Sequence, residues 1–240
     1  MSTSAKSYHH GDLRAALLDA AIESLEAGEA FSMRAVARRA GVSATAPYRH
    51  FADREALDSA VAVEGFKDLR ADLAAGLAAV PDDASAAETI GGLGVAYVAF
   101  ALRRPAVFKL MFGNECDEEN SERVLAAGRL HDVLNGAVAR LFPDADVQGL
   151  SRALWSMAHG LAFLHLDGKL RPEPAEAVAE RVRGSVAAIF ALGAVRPTAS
   201  APVTASANRT VSAAQDRPEQ PEPSDPHLDD TTRTLTGGTP

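Results

Sequence analysis

At 240 residues with 47% apolar content, the chain can bury one large core or two small ones. No run of about 18 apolar residues appears, which excludes a membrane-spanning helix, and a single cysteine, Cys116, excludes a disulfide framework. The formal net charge of −8 argues against a polyanionic partner for the molecule as a whole, yet the segment Ser32 to His50 holds Arg34, Arg38, Arg39 and Arg49 and no acid.

The lone thiol suits a reducing cytoplasm, where the chain is expected to reside, and reads as buried or incidental rather than as a redox sensor. The first ten residues are polar, so no secretion signal is expected. From there the chain reads as all-α, with about nine helices and no two-residue alternation. Asp12 can cap a first helix in which Leu13, Leu17, Ala21 and Leu25 recur every four residues, widened by Leu18 and Ile22 and closed by Gly28. Ser32 caps a second helix with Met33, Val36, Ala37 and Ala40 on one face, and Gly41 stops it. Ser43 is expected to open a third helix ending near Phe51. With Ser43 as cap, Pro47 costs only the first helical hydrogen bond, so a helix is still expected there. Asp53 opens a long fourth helix to about Ala79.

Further helices are expected over about Ala84–Leu102, Pro105–Phe112, Glu118–Leu141, Asp144–Leu166 and Glu173–Leu192, with Pro143, Pro172 and Pro174 in the loops. The tail, 194–240, holds seven of the thirteen prolines and no aromatic residue, a composition that cannot offset ordering entropy and reads as disordered.

The stretch Phe31 to Leu57, FSMRAVARRAGVSATAPYRHFADREAL, carries the function. Ala37 is small where two short helices cross. Gly41 sits where the chain must leave the second helix, and Ser43 can accept amide hydrogens of the next. The product is a helix-turn-helix whose second helix can enter a major groove about 12 Å wide.

These residues resemble the tetracycline-repressor (TetR) family of regulators: GDLRAALLDAA opening the first helix, ARRAGVSATAPYRHF as the helix-turn-helix, and DREAL starting the fourth. YHHGDLR, FKLMFG (Phe108–Gly113) and ALWSMAHGLAFLHLDG (Ala153–Gly168) further resemble the subfamily with a Trp-His-Gly (WHG) C-terminal domain. The resemblance implies a helix-turn-helix DNA-binding domain at 8–70, a helical effector-binding and dimerisation domain at 71–193, and the tail beyond.

It also implies roles. Arg34 should reach a phosphate or a guanine edge. Ser43, Ala44, Thr45 and Ala46 form the start of the recognition helix, with Ala44, Thr45 and Ala46 in its exposed turn, where methyls meet thymine and a hydroxyl reads either donor or acceptor. Tyr48, His50 and Arg54 should bind the phosphate backbone, and Arg49 either phosphate or base. Phe51 reads as core, and Tyr48 as mixed. His9 and His10 beside Lys6 are a poor metal signal without a further ligand; they read as a DNA-touching arm or a frayed terminus, and neither metal nor cofactor is expected.

In the C-terminal half, Val178, Val182, Val186, Ile189 and Leu192 stripe the ninth expected helix. The eighth is apolar around most of its circumference and must be covered on two sides. One side would face the chain's own core and the other a second protomer, giving a homodimer through the eighth and ninth helices, as the family resemblance implies. Phe108, Met111, Phe112, Trp155, His159 and Phe163 are candidates for lining the pocket of an unknown small-molecule effector, although such stripes also build cores. His159 reads as a polar anchor or as a satisfied core histidine.

The function expected is that of a DNA-binding repressor that leaves a palindromic operator when its pocket fills. An enzyme using Ser156 with His159, or His131 with Asp132, is not expected, because neither pair has a third orienting group. An adaptor binding protein alone would differ by lacking specific DNA affinity.

Overall fold

The computed structural model describes residues 13–29, 31–113 and 121–192. Asp12, His9, His10, Cys116 and the tail lie outside them. Among the described residues the chain forms eight α-helices and no strand. These are α1 (Leu13–Glu26), α2 (Met33–Arg39), α3 (Arg54–Ala78), α4 (Ala86–Arg103), α5 (Pro105–Gly113), α6 (Ser121–Leu141), α7 (Val147–Leu166) and α8 (Ala175–Leu192). None of them is long and apolar enough to cross a membrane.

Among the described residues the expected boundaries hold to within three residues except at one place, and the expected helix start at Glu118 lies outside them. No α-helix spans Ser43 to Phe51; a turn there leads into a single 3-10 turn, Pro47–Arg49. Pro47 is the cause. It has no N–H to give the Ser43 carbonyl, and its ring crowds that carbonyl. Ala46 N–H bonds Ser43 O instead at 3.0 Å, Arg49 N–H bonds Ala46 O at 3.2 Å, and the tighter three-residue spacing takes over.

Elsewhere the caps do what their residue types dictate. Ser32 Oγ accepts from Ala35 N–H at 3.2 Å, and Asp53 Oδ1 from Ala56 N–H at 2.8 Å. α4 opens with a capping box in which Ser85 and Glu88 satisfy each other's backbone amides. α2 closes through Gly41 at φ +70°, with Gly41 N–H on Arg38 O and Val42 N–H on Ala37 O. This two-bond closure needs a left-handed residue at that position.

A three-helix head is built from α1, α2 and the start of α3 around Leu17, Leu18, Ala21, Met33, Val36, Phe51, Leu57 and Val61, all buried. The same apolar cluster continues along α3 through Phe66, Leu69 and Leu73 to Phe100, Phe108, Val138, Leu154 and Val182. α3 thus runs from head to body without interruption. In the body, α4 packs against α3, α7 and α8, while α3 also meets α5 and α6. Two contacts depend on missing side chains. A Cβ on Gly65 of α3 would stand 2.6 Å from Met111 Sδ of α5, and one on Gly94 of α4 2.9 Å from Val182 Cγ1 of α8. The valine stripe of α8 therefore faces α4: Val178, Val182 and Val186 are buried, whereas Leu192 is exposed.

Candidate nucleic-acid interface and effector cleft

The head presents a surface built from α2 and the tight segment after it. Arg34 and Arg38 are exposed on α2, and Ser43, Ala44, Thr45, Tyr48, Arg49 and His50 are exposed beyond it. Tyr48 is 54% exposed, a large value for an aromatic side chain with no partner to pack on. Thr45 and Tyr48 thus stand free of the protomer's interior. Two of the expected residues behave differently. Ala46 is buried with Pro47, because the 3-10 turn rotates it inward, so it cannot offer its methyl to a base. Ser43 does not cap: its hydroxyl pairs with Thr45 Oγ1 at 3.2 Å, and the 3-10 turn starts without a side-chain cap.

The basic residues divide into two groups. Arg39 is held by Glu23 at 3.1 Å and Glu29 at 2.8 Å, and these carboxylates raise its pKa further. It braces α2 against α1. Arg54, at the N-terminus of α3, lies 5.2 Å over the Phe31 ring and 3.6 Å from Asp58, with 59% of its side chain exposed. Phe51 is buried under Arg14, whose guanidinium sits 5.5 Å above the ring. The exposed cations beside the helix-turn-helix match what a polyanion requires.

Head and body meet at a polar joint. The Glu26 carboxylate, at the C-terminal end of α1, accepts from Val107 N–H at 3.1 Å and Ala106 N–H at 3.4 Å. These are orphan amides of the first turn of α5, where negative charge is favoured. Arg104 joins in, 3.9 Å from Glu26 and 2.6 Å from Asp68 of α3. Sequence reading missed this joint, since its members lie about 80 residues apart.

The body holds a small apolar cleft. Leu73 of α3, Ile90, Leu93 and Tyr97 of α4, Leu130, His131 and Leu134 of α6, and Leu154, Trp155 and Met157 of α7 wall it. Of the sequence candidates only Trp155 lines it. Phe108 and Met111 are fully buried core; Phe112, Phe163 and His159 pack with Phe108 in an aromatic cluster with ring centroids 4.7–5.7 Å apart. His159 is a partnered histidine: its Nδ1 shares a hydrogen bond with the Tyr97 hydroxyl at 2.8 Å, and burial lowers its pKa. Trp155 Nε1–H donates to the same hydroxyl at 3.2 Å. Burial also raises the Tyr97 pKa well above the usual phenol range, so the hydroxyl keeps its proton.

The model for bacterial regulatory proteins of the tetR family matches residues 17–61, and that for the tetracyclin repressor-like C-terminal domain matches residues 90–189. Between them they span more than half of the chain. No curated protein matches the sequence. Among solved structures, a protein of unknown function from Rhodococcus sp. RHA1 is 33% identical, with TM-score 0.65, over 76% of this chain and 97% of that one. The TetR family transcriptional regulator PfmR from Thermus thermophilus is 23% identical, with TM-score 0.53, over 72% and 93%. FadR from Bacillus subtilis, solved in complex with stearoyl-CoA, is 13% identical, with TM-score 0.59, over 72% and 97%; both of these show the fold alone. The two family models fall on the helix-turn-helix head and the cleft-bearing body, and the chain belongs to the TetR family of transcriptional regulators, with its DNA-binding domain at the N-terminus.

Proposed function

We propose that the chain is a cytoplasmic, dimeric repressor that binds a palindromic operator and releases it when a small molecule fills the body cleft. The observation that carries this reading is the surface of Arg34, Thr45, Tyr48, Arg49 and His50, exposed and free of acids in the segment that ought to meet the duplex. In this reading Thr45 and Ala44 meet base edges, Arg34 and Arg49 reach phosphate or guanine, and Tyr48, His50 and Arg54 grip the backbone.

A homodimer is supported by the outer faces of α7 and α8. Ala153, Ser156, Gly160 and Leu164 on α7, and Gly184, Ala187, Ala188 and Leu192 on α8, are exposed, small or apolar. Nothing lies within 4 Å of a Cβ built on Gly160 or Gly184, so a second protomer could approach closely there. Two-fold symmetry of the protein then implies two-fold symmetry of the operator.

The geometry supports such a release. α3 and α4 wall the cleft, and α3 continues into the head, while α5 is tied to α1 by Glu26. A ligand that binds better when the heads are spaced wrongly for the groove lowers DNA affinity by that difference.

Selection of binding sites from a random duplex pool by the full-length protein, followed by footprinting, tests the reading. A palindrome with half-sites one helical turn apart, or a multiple of it, is the expected result. Binding with no sequence preference beyond the nonspecific level would refute it.

A further inference from the structure

Arg54 stands where helix energetics favour an acid. It is the first residue of α3, and the N-terminus of a 25-residue helix disfavours positive charge. Its ion pair with Asp58, one turn on, also runs in the weaker order for a helix, with the base N-terminal to the acid. Neither feature serves the stability of α3, so the reason for an arginine there lies in what it meets outside the chain.

Two contacts fix its guanidinium. Asp58 Oδ2 lies 3.6 Å from Nε, and only 17% of the Asp58 side chain is exposed. The guanidinium carbon sits over the Phe31 ring, 5.2 Å from its centroid. The acid thus meets the nitrogen nearest the backbone and the ring carries the central carbon, while 59% of the Arg54 side chain stays exposed. The two terminal NH2 groups, with four of the five donors, are the part left open. Arg39 differs, since its Nε and Nη1 are both spent on carboxylates of the chain. Phe31 precedes Ser32, the cap of α2, and packs partly buried against the head core. A cation of α3 resting on that ring is therefore held in register with the helix-turn-helix that α2 opens.

We infer that Phe31 and Asp58 are positioning residues for DNA binding, which hold Arg54 so that its terminal donors meet a backbone phosphate as a fixed fork. This rests on the reading of Arg54 as a phosphate contact. A long side chain loses rotamer freedom when it binds, and one already held on a ring and beside a carboxylate has lost part of it beforehand. Phe31 and Asp58 act through Arg54 and need not touch the duplex.

The test is a double-mutant cycle in the full-length protein. Affinity is read by fluorescence anisotropy at low salt on a fixed nonspecific duplex of about 30 base pairs, because phosphates carry no sequence. Phe31→Leu keeps apolar bulk and every charge but removes the ring face. It should bind about two- to fivefold more weakly, the worth of an exposed cation–ring contact. Phe31→Tyr, which keeps the face, should bind as the wild type does. Asp58→Asn should bind about twofold more weakly even though it removes a negative charge near the duplex. In an Arg54→Ala background Phe31→Leu should cost nothing, and Asp58→Asn should no longer weaken binding.

A loss from Phe31→Leu that persists undiminished in the Arg54→Ala background would overturn the inference, since the ring would then act on the head as a whole. So would wild-type affinity in Phe31→Leu, or tighter binding by Asp58→Asn with Arg54 in place. If Phe31→Leu does not fold by circular dichroism, Asp58→Asn with and without Arg54 carries the test. The phosphate reading fails separately: Arg54→Ala with wild-type affinity and salt slope would remove Arg54 from the interface, and the inference with it.

Discussion

The exposed face of the head and the cleft of the body are opposite solutions to recognition. On the head, cations stand in water and wait for a charge: Arg34, Arg38 and Arg49 are exposed, whereas Arg39 is locked by two carboxylates of its own chain and Arg54 lies beside Asp58. In the cleft no charged side chain lines the wall among the described residues, and the Tyr97 hydroxyl is bonded to Trp155 beside it and to His159 of the aromatic cluster. The contrast teaches where substitutions should be felt. Exposed charged groups add affinity for a polyanion and little stability, because water already solvates them. Buried walls determine stability first, since a void or an overpacked helix pair is felt throughout the core.

The largest expected effect breaks the head. Arg34→Ala or Tyr48→Ala should weaken operator binding by about ten- to a hundredfold, as loss of one base or phosphate contact does, with the melting temperature unchanged. Arg39→Ala should do the reverse, leaving DNA contacts in place while loosening α2 from α1. Mobility shifts at one stated salt concentration, paired with thermal melts, separate the two groups. Equal loss of binding from all three would mean that the division between free and locked arginines is wrong.

Next in size is packing at the cleft wall. Gly94→Val places a side chain where a Cβ alone would meet Val182 at 2.9 Å, so α4 and α8 must part. A loss of about 1–3 kcal/mol in urea unfolding is expected, with DNA affinity retained in the folded fraction. An unchanged midpoint would show that the α4–α8 contact is looser than drawn.

The smallest effect concerns pH. Burial lowers the pKa of His131, His159 and His165, the last also through the Arg181 charge. Below about pH 6.5 the unfolded chain takes up protons that the native chain resists, so stability falls as pH drops through that value and continues to fall until the depressed native pKa values are reached. Thermal melts between about pH 7 and pH 5 should show a falling melting temperature. A flat or rising profile would contradict the buried, neutral state of these rings.

Much of this molecule is readable from linear sequence. Ser32, Gly41 and Asp53 set helix ends through local hydrogen bonds, and the apolar spacing of Leu17, Leu18 and Ala21 predicts which face is buried. The tight segment departs from the expected helix because the ring of Pro47 acts on the whole turn before it, not only on one hydrogen bond. Ala46 shows the consequence, turned inward where an α-helix would have left it exposed. The cleft was legible only at Trp155. Its other walls come from four helices, and no periodicity on one of them shows which face will meet Leu73 or Tyr97. The Glu26 joint was hidden for the same reason: a carboxylate gives no sign in sequence that it will cap a helix about 80 residues further on.

Recognition depends most directly on how the head holds the duplex. Binding of the selected operator should be followed by fluorescence anisotropy across a series of salt concentrations, for the wild type and for Arg49→Ala. The wild type should lose affinity linearly on logarithmic axes, and the variant's slope should be shallower by about one if Arg49 neutralises a phosphate. A wild-type affinity that does not change with salt would contradict an interface built on exposed cations.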